Sequence, residues 1–274
     1  MVLLAACCWC GVARGQLQIL PDKEPPSIFA GEARKLSVMF RNSGNETIET
    51  HLSTQLYQAT SATAVPAGKP VDWKKLRVLP GQTVLESIVL DFPAVKAETK
   101  FIVQWQEEAH HILGTTEVRV YPGDLLAKLK TLAGGRGPGV FDPQNELKPL
   151  LKKLDVEFED LENSSVEHFS GRLAIIGPFQ AVAQMREGLA GQIKELARKK
   201  TAVVWLQPPP EKKARTLMPS FYTVMEGTNA VVVVEPDLVA GLAENPQAQL
   251  NLMYFCRMAL NPRPPALPVL SSQP

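Results

Sequence analysis

The 274 residues carry almost no excess of either charge: 29 lysines and arginines against 28 acids leave a formal net charge of +1. So even a balance gives no electrostatic reason to expect nucleic acid or an anionic membrane surface as partner. Cysteine is scarce. Cys7, Cys8 and Cys10 fall in the first ten residues and Cys256 stands alone. Beyond the N-terminus, therefore, neither an intramolecular disulfide nor a thiolate metal cluster can form. Histidine is absent where it would matter most, since none of the four follows His168. After the N-terminal stretch no run approaches the ~20 apolar residues that span a bilayer. The chain also lacks Gly-x-Ser-x-Gly, a Gly-Lys-Ser/Thr phosphate loop and a Gly-x-Gly-x-x-Gly turn after a strand, so no cofactor is expected. No internal repeat is visible.

What is present reads as globular: 45% hydrophobic and 21% charged residues, enough chain for one large domain or two ordinary ones. The opening "MVLLAACCWCGVARGQ" has no acid before Asp22 and an apolar core from Val2 to Ala13. Ala13 and Gly15 set small residues at −3 and −1 of a cleavage before Gln16, as in a secretory signal peptide. A basic n-region is missing. Leu4-Ala5-Ala6-Cys7 also resembles a bacterial lipobox, which makes a lipid anchor at Cys7 the alternative. Export to the periplasm or beyond is the expectation, with residues 1–15 as the leader.

From residue 16 to 122 the periodicity is two. "RKLSVMFRNSG" alternates Leu36, Val38 and Phe40 with polar residues and ends in a Ser-Gly turn, and Pro80-Gly81 splits two further apolar runs. "KFIVQWQEE" alternates Phe101, Val103 and Trp105. Short strands at this spacing, without a helical run, predict an antiparallel sandwich. "FRNSGNETIE", a strand followed by an Asn-rich turn, resembles the immunoglobulin-like modules of secreted bacterial proteins, although the Cys…Trp…Cys signature is absent.

At "YPGDLLAKLKTL" the period becomes helical, and "AGGRGPG" follows as a flexible break, so residues 123–138 are expected to be a helix and Gly-rich linker. Residues 139–262 then alternate strand and helix. "GVFD", "VEFEDL", "RLAIIG", "TAVVWLQ" and "NAVVVVEP" are the strands; "PQNELKPLLKKL", "AVAQMREGLAGQIKELARKK" and "DLVAGLAENPQAQLNLMYFCRMAL" are the helices, the last broken near Pro246. Val/Ile runs without alternation suit strands covered on both faces, which predicts a doubly wound α/β parallel sheet of about five strands. The tail 263–274 holds too many prolines for a helix.

Laid out as "GVFDP…LKPLLKKLDVEFEDL…RLAIIGP…TAVVWLQ", this half resembles the class I glutamine amidotransferase-like superfamily over roughly residues 137 to 260. The resemblance implies a flavodoxin-like three-layer fold. Active members carry a cysteine on a Gly-x-Cys-x-Gly elbow, with a downstream histidine and glutamate. Here Leu206-Gln207-Pro208 stands where the elbow should be, and no histidine follows. Consecutive prolines do not form the strained turn that presents a nucleophile. Cys256 sits in an apolar helical run and reads as a small buried hydrophobe.

In a sheet of order 2-1-3-4-5 the ligand crevice lies at the carboxyl ends of strands one and three. Those ends supply Asp142 and Gln144, and Gly177, Pro178 and Phe179. Asp142 reads either as a helix cap or as a ligand group. The acids Glu157, Glu159, Asp160 and Glu162 read as a solvated strand end, and His110-His111 face opposite ways on a strand. The stretch 206–228 is long for a loop between elements, and its Phe221 and Tyr222, with Trp205, are the candidate partner surface. The expected role is a non-catalytic interaction or scaffold protein of the bacterial cell envelope with a protein partner. A carbohydrate- or ester-directed hydrolase using crevice carboxylates, and a small-ligand sensor, are the alternatives.

Overall fold

A computed structural model describes residues 17–108, 111–164, 166–208, 221–227 and 229–262. Residues 1–16, with Cys7 and the expected leader, and the tail 263–274 lie outside the described residues. The described chain is mostly β, with three sheets and four short helices, and it divides into two units after Gly123. No described helix is long and apolar enough to cross a membrane.

The first unit holds β1 (Leu17–Leu20), β2 (Ser27–Phe29), β3 (Ala33–Asn42), β4 (Ile48–Ala59), β5 (Ala64–Pro66), β6 (Val71–Val78), β7 (Thr83–Asp91), β8 (Thr99–Glu107) and β9 (His111–Tyr121). One sheet runs β1-β3-β7; the other runs β2-β9-β8-β4-β5, with β6 also paired to β4. All pairings are antiparallel except β2 with β9. Alternation in the sequence becomes the core: Leu36, Val38 and Phe40 of β3 pack with Ile88 and Leu90 of β7 and with Phe101, Val103 and Trp105 of β8. Phe40 meets Trp105 edge to face at 5.8 Å, and the Trp105 indole donates to Thr116 Oγ1 at 2.9 Å. The "NSGN" turn is held by fully buried Asn42. Its amide donates to the carbonyls of Glu46 and Val78, and its oxygen accepts from the Gly44 N–H.

The second unit holds α1 (Lys128–Leu132), β10 (Gly139–Phe141), α2 (Leu147–Lys153), β11 (Glu159–Asp160), β12 (Leu173–Ile176), α3 (Leu189–Arg198), β13 (Ala202–Leu206), β14 (Phe221–Glu226), β15 (Asn229–Val234) and α4 (Pro246–Leu260). Its sheet is mixed and six-stranded, in the order β11-β10-β12-β13-β15-β14. Five strands are parallel, and β14 runs antiparallel to β15. Both faces are covered. Val140, Leu173, Ile175, Val204, Val232 and Val234 pack with leucines of α1, α2 and α4. Phe141, Ala174, Ile176, Val203, Val231 and Val233 pack with Leu189, Ile193 and Leu196 of α3.

Four expectations need correction. The five-stranded parallel sheet is a six-stranded mixed one, because the second part of the supposed loop is β14. The expected helix from Ala181 is only α3, since Gly188 takes a left-handed φ of 80° immediately before it. "VEFEDL" forms a ladder at just two residues, Glu159 and Asp160. The expected linker is packed in place: Leu126, Leu129 and Ala133 belong to the second unit's core. A Cβ on Gly137 would stand 2.0 Å from the Glu157 carbonyl.

Candidate functional site

The carboxyl end of β10 delivers Asp142, only 2% exposed, beneath the start of α2. Its Oδ1 accepts the N–H of Glu146 at 3.2 Å, and its Oδ2 accepts those of Leu147 and Lys148 at 2.8 and 2.9 Å. Those amides have no partner within the helix, and a carboxylate at the positive end of the helix satisfies them. The Asp142 N–H in turn donates to Glu162 Oε1 at 2.7 Å.

α2 then carries Lys148 over the short end of β11. Its ammonium lies 2.8 Å from Asp160 Oδ1 and 2.7 Å from Glu162 Oε1. Burial alone would lower the Lys148 pKa, but the two hydrogen bonds and the two negative charges outweigh it and hold it above its ordinary value. Burial likewise pushes Asp160 upward, and is outweighed by the bond from Lys148 and the Glu162 N–H, so its carboxyl is held below the usual range. The acids expected on a solvated strand end are thus partly an ion-paired cluster. The only sequence signal was a lysine between Leu147 and Leu151, on the face of α2 that turns inward.

The turn after β12 is tied directly to the end of β10. The Gly177 N–H donates to the Phe141 carbonyl at 2.8 Å. Gly177 has φ 100°, and a Cβ there would meet the Leu206 carbonyl oxygen at 2.6 Å, so glycine is required. The Gly177–Pro178 bond is cis. Phe179 is buried with its ring 6.0 Å from that of Phe141. Gln184 Oε1 accepts from the Gln180 N–H at 2.6 Å and from Gln144 Nε2 at 2.7 Å, which links the turns after β10 and β12. Arg186 donates to the Glu162 carbonyl at 2.8 Å and lies over the Phe141 ring. Asp142, Gln144, Gly177, Pro178 and Phe179 therefore gather at one place.

At Leu206-Gln207-Pro208, where an elbow would stand, the chain continues alongside β15, the Gln207 N–H donating to the Val234 carbonyl at 2.9 Å. Cys256 is buried in α4, which pushes its thiol up to about 12. No cluster of three metal-ligating side chains occurs among the described residues.

Trp205 is half-buried on the α3 side of the sheet, with its indole N–H buried and unpartnered. It shares a cross-strand row with Val233 and Tyr222, so Trp205 and Tyr222 lie two strands apart and not in contact. Phe221 is on the opposite face, its ring 5.2 Å from Phe255 and 6.4 Å from Tyr254. Val224, Met225 and Tyr254, which sequence reasoning passed over, extend this exposed apolar surface.

No family model and no curated protein matches the chain. Among solved structures it is similar to a β-glucosidase from Listeria innocua in complex with glucose, at 14% identity and a TM-score of 0.30, over 39% of this chain and 16% of that one. It is similar to the β-glucosidase EmGH1 from Erythrobacter marinus at 13% and 0.30, over 39% and 15%. It is also similar to the alkylpurine DNA glycosylase AlkC from Pseudomonas fluorescens bound to DNA, at 13% and 0.29, over 39% and 30%. The matched stretch spans less than a third of each of these chains, and likenesses of this size carry no argument about fold or activity.

Proposed function

We propose that this chain is a non-catalytic interaction or scaffold protein of the bacterial cell envelope. In this reading an immunoglobulin-like sandwich precedes a glutamine amidotransferase-like unit that has lost its chemistry. The sandwich assignment draws support from the two facing sheets and their shared core. The flavodoxin-like assignment draws support from the order of the parallel strands, which in chain order is 2-1-3-4-5. The leader-like N-terminus supports export.

One observation carries the non-catalytic reading: the acids nearest the crevice are already engaged within the protein. General acid–base chemistry needs a carboxyl free to exchange a proton with substrate, and glycoside hydrolysis needs two. Asp142 is buried and satisfies the amides of Glu146 and of the first two residues of α2, while Asp160 and Glu162 share the Lys148 ammonium. The purified chain is expected to release neither ammonia from glutamine nor phenol from aryl glycosides and esters above the buffer rate. Turnover that disappears in Asp142→Asn, with the fold retained by circular dichroism, would overturn the reading.

A further inference from the structure

The two edges of the second unit's sheet are built differently. β11 is two residues long, and both are acids, Glu159 and Asp160. Short charged edges resist pairing with another strand. β14 has none of these guards. It is six residues, "FYTVME", with no proline, no irregularity in its pairing to β15 and no charge before Glu226. Glu226 is itself directed to Arg198 Nε at 3.4 Å. Among the described residues β14 is paired along one flank only. Its apolar side chains reach solvent on both faces of the sheet: Phe221 and Met225 with Tyr254 on the α4 side, Tyr222 and Val224 on the α3 side. They are between 36% and 55% exposed.

We infer that β14 pairs antiparallel with β14 of a second copy of this chain, joining two six-stranded sheets into one of twelve. This rests on the reading of this edge as a partner surface and names the partner. A two-fold axis perpendicular to the sheet keeps each face on its own side, so only residues of the same face stand opposite one another. Centred on Thr223, that symmetry sets Phe221 against Met225, Tyr222 against Val224 and Thr223 against Thr223. Each is a favourable cross-strand pair, with sulfur against an aromatic ring in the first. Centred one residue later, Tyr222 would face Glu226. The register centred on Thr223 thus pairs five of the six residues of β14 and leaves its only charge outside.

Neutrality of the paired window also favours self-association, since two copies bring no like charges together. The five exposed side chains offer on the order of 450 Å² per copy, so a pair buries at most about 900 Å², below the roughly 1,200 Å² of a standard stable interface and in the range of weak, transient ones. A reversible, concentration-dependent dimer follows. The chain's own residues 263–274 compete poorly for this edge. Pro264, Pro265 and Pro268 lack the N–H groups that a ladder needs.

Sedimentation equilibrium of the full chain over a wide concentration range tests this. The wild type is expected to dimerise. Thr223→Lys and Thr223→Glu, which set like charges opposite each other at the two-fold axis, should each weaken the dimer by at least about tenfold. An equimolar mixture of the two should recover it, because Lys then faces Glu. Circular dichroism checks that both variants fold. A wild type that stays monomeric overturns the inference, as does a mixture that stays as dissociated as its components. A monomeric wild type whose truncation after Pro262 dimerises assigns the edge to residues 263–274 and overturns it too. None of these results alters the turnover assay on Asp142→Asn, so failure here is distinct from failure of the scaffold reading.

Discussion

Lys148 is a nearly buried cation whose ammonium lies within 2.8 Å of Asp160 and 2.7 Å of Glu162. Removing it would leave two carboxylates close together with no counter-charge. The expected cost of Lys148→Met is about 2 kcal/mol, between the worth of an exposed ion pair and the loss on breaking a fully buried one. The pH dependence carries a sign. Asp160 titrates below its ordinary value when folded, so its contribution is present above about pH 4 and lost as pH falls through the folded value. Lys148 titrates above its ordinary value, so its contribution is present at neutral pH and lost only as pH rises through the folded value. Urea denaturation should therefore show the widest gap between wild type and Lys148→Met near neutral pH, narrowing under acid conditions. A gap of constant width would mean that the ion pairs contribute nothing.

At the scale of elements, the turn before β10 is constrained both by left-handed backbone and by close approach. Gly135 and Gly137 both hold left-handed backbone, with φ of 91° and 78°. Around Gly135 there is open space, whereas a Cβ on Gly137 would collide with the Glu157 carbonyl. Gly135→Ala is expected to cost about 1 kcal/mol, the conformational term alone. Gly137→Ala should cost about 3 kcal/mol or more, because backbone itself must move. Thermal unfolding of the pair separates the two terms, and equal shifts would place Gly137 in open space. The same segment shows where sequence reasoning stops. Glycines at 134, 135, 137 and 139 read as flexible, yet Gly137 is required by close approach to the backbone of Glu157, distant in sequence, which local pattern does not encode. β12, β13 and β15 were legible because burial on both faces demands uninterrupted apolar runs. β14 was hidden for the opposite reason: an edge strand exposed on both faces shows neither alternation nor a buried run. At the crevice the turn residues were legible from topology, and Asp142 as a cap from its place before α2. The Lys148 cluster was not, because the acids it binds lie 12 and 14 residues away.

For the whole molecule, the change from a two-residue to a helical period falls around Pro122, and the division into units follows Gly123. Each unit closes a core of its own. In the first, Phe101 and Trp105 are fully buried between two sheets; in the second, Leu151 of α2 is fully buried against the mixed sheet. Truncating a fully buried leucine leaves a cavity as well as losing transfer energy, about 2–5 kcal/mol, and a phenylalanine about 3–5 kcal/mol. Changes confined to separate cores act additively. Calorimetry of the full chain is therefore expected to resolve two unfolding transitions. Leu151→Ala should lower one and leave the other in place, Phe101→Ala should do the reverse, and the double variant should show both shifts undiminished. If either single change moved both transitions together, the units would unfold as one cooperative block, and the sandwich would be part of what stabilises the mixed sheet and its crevice.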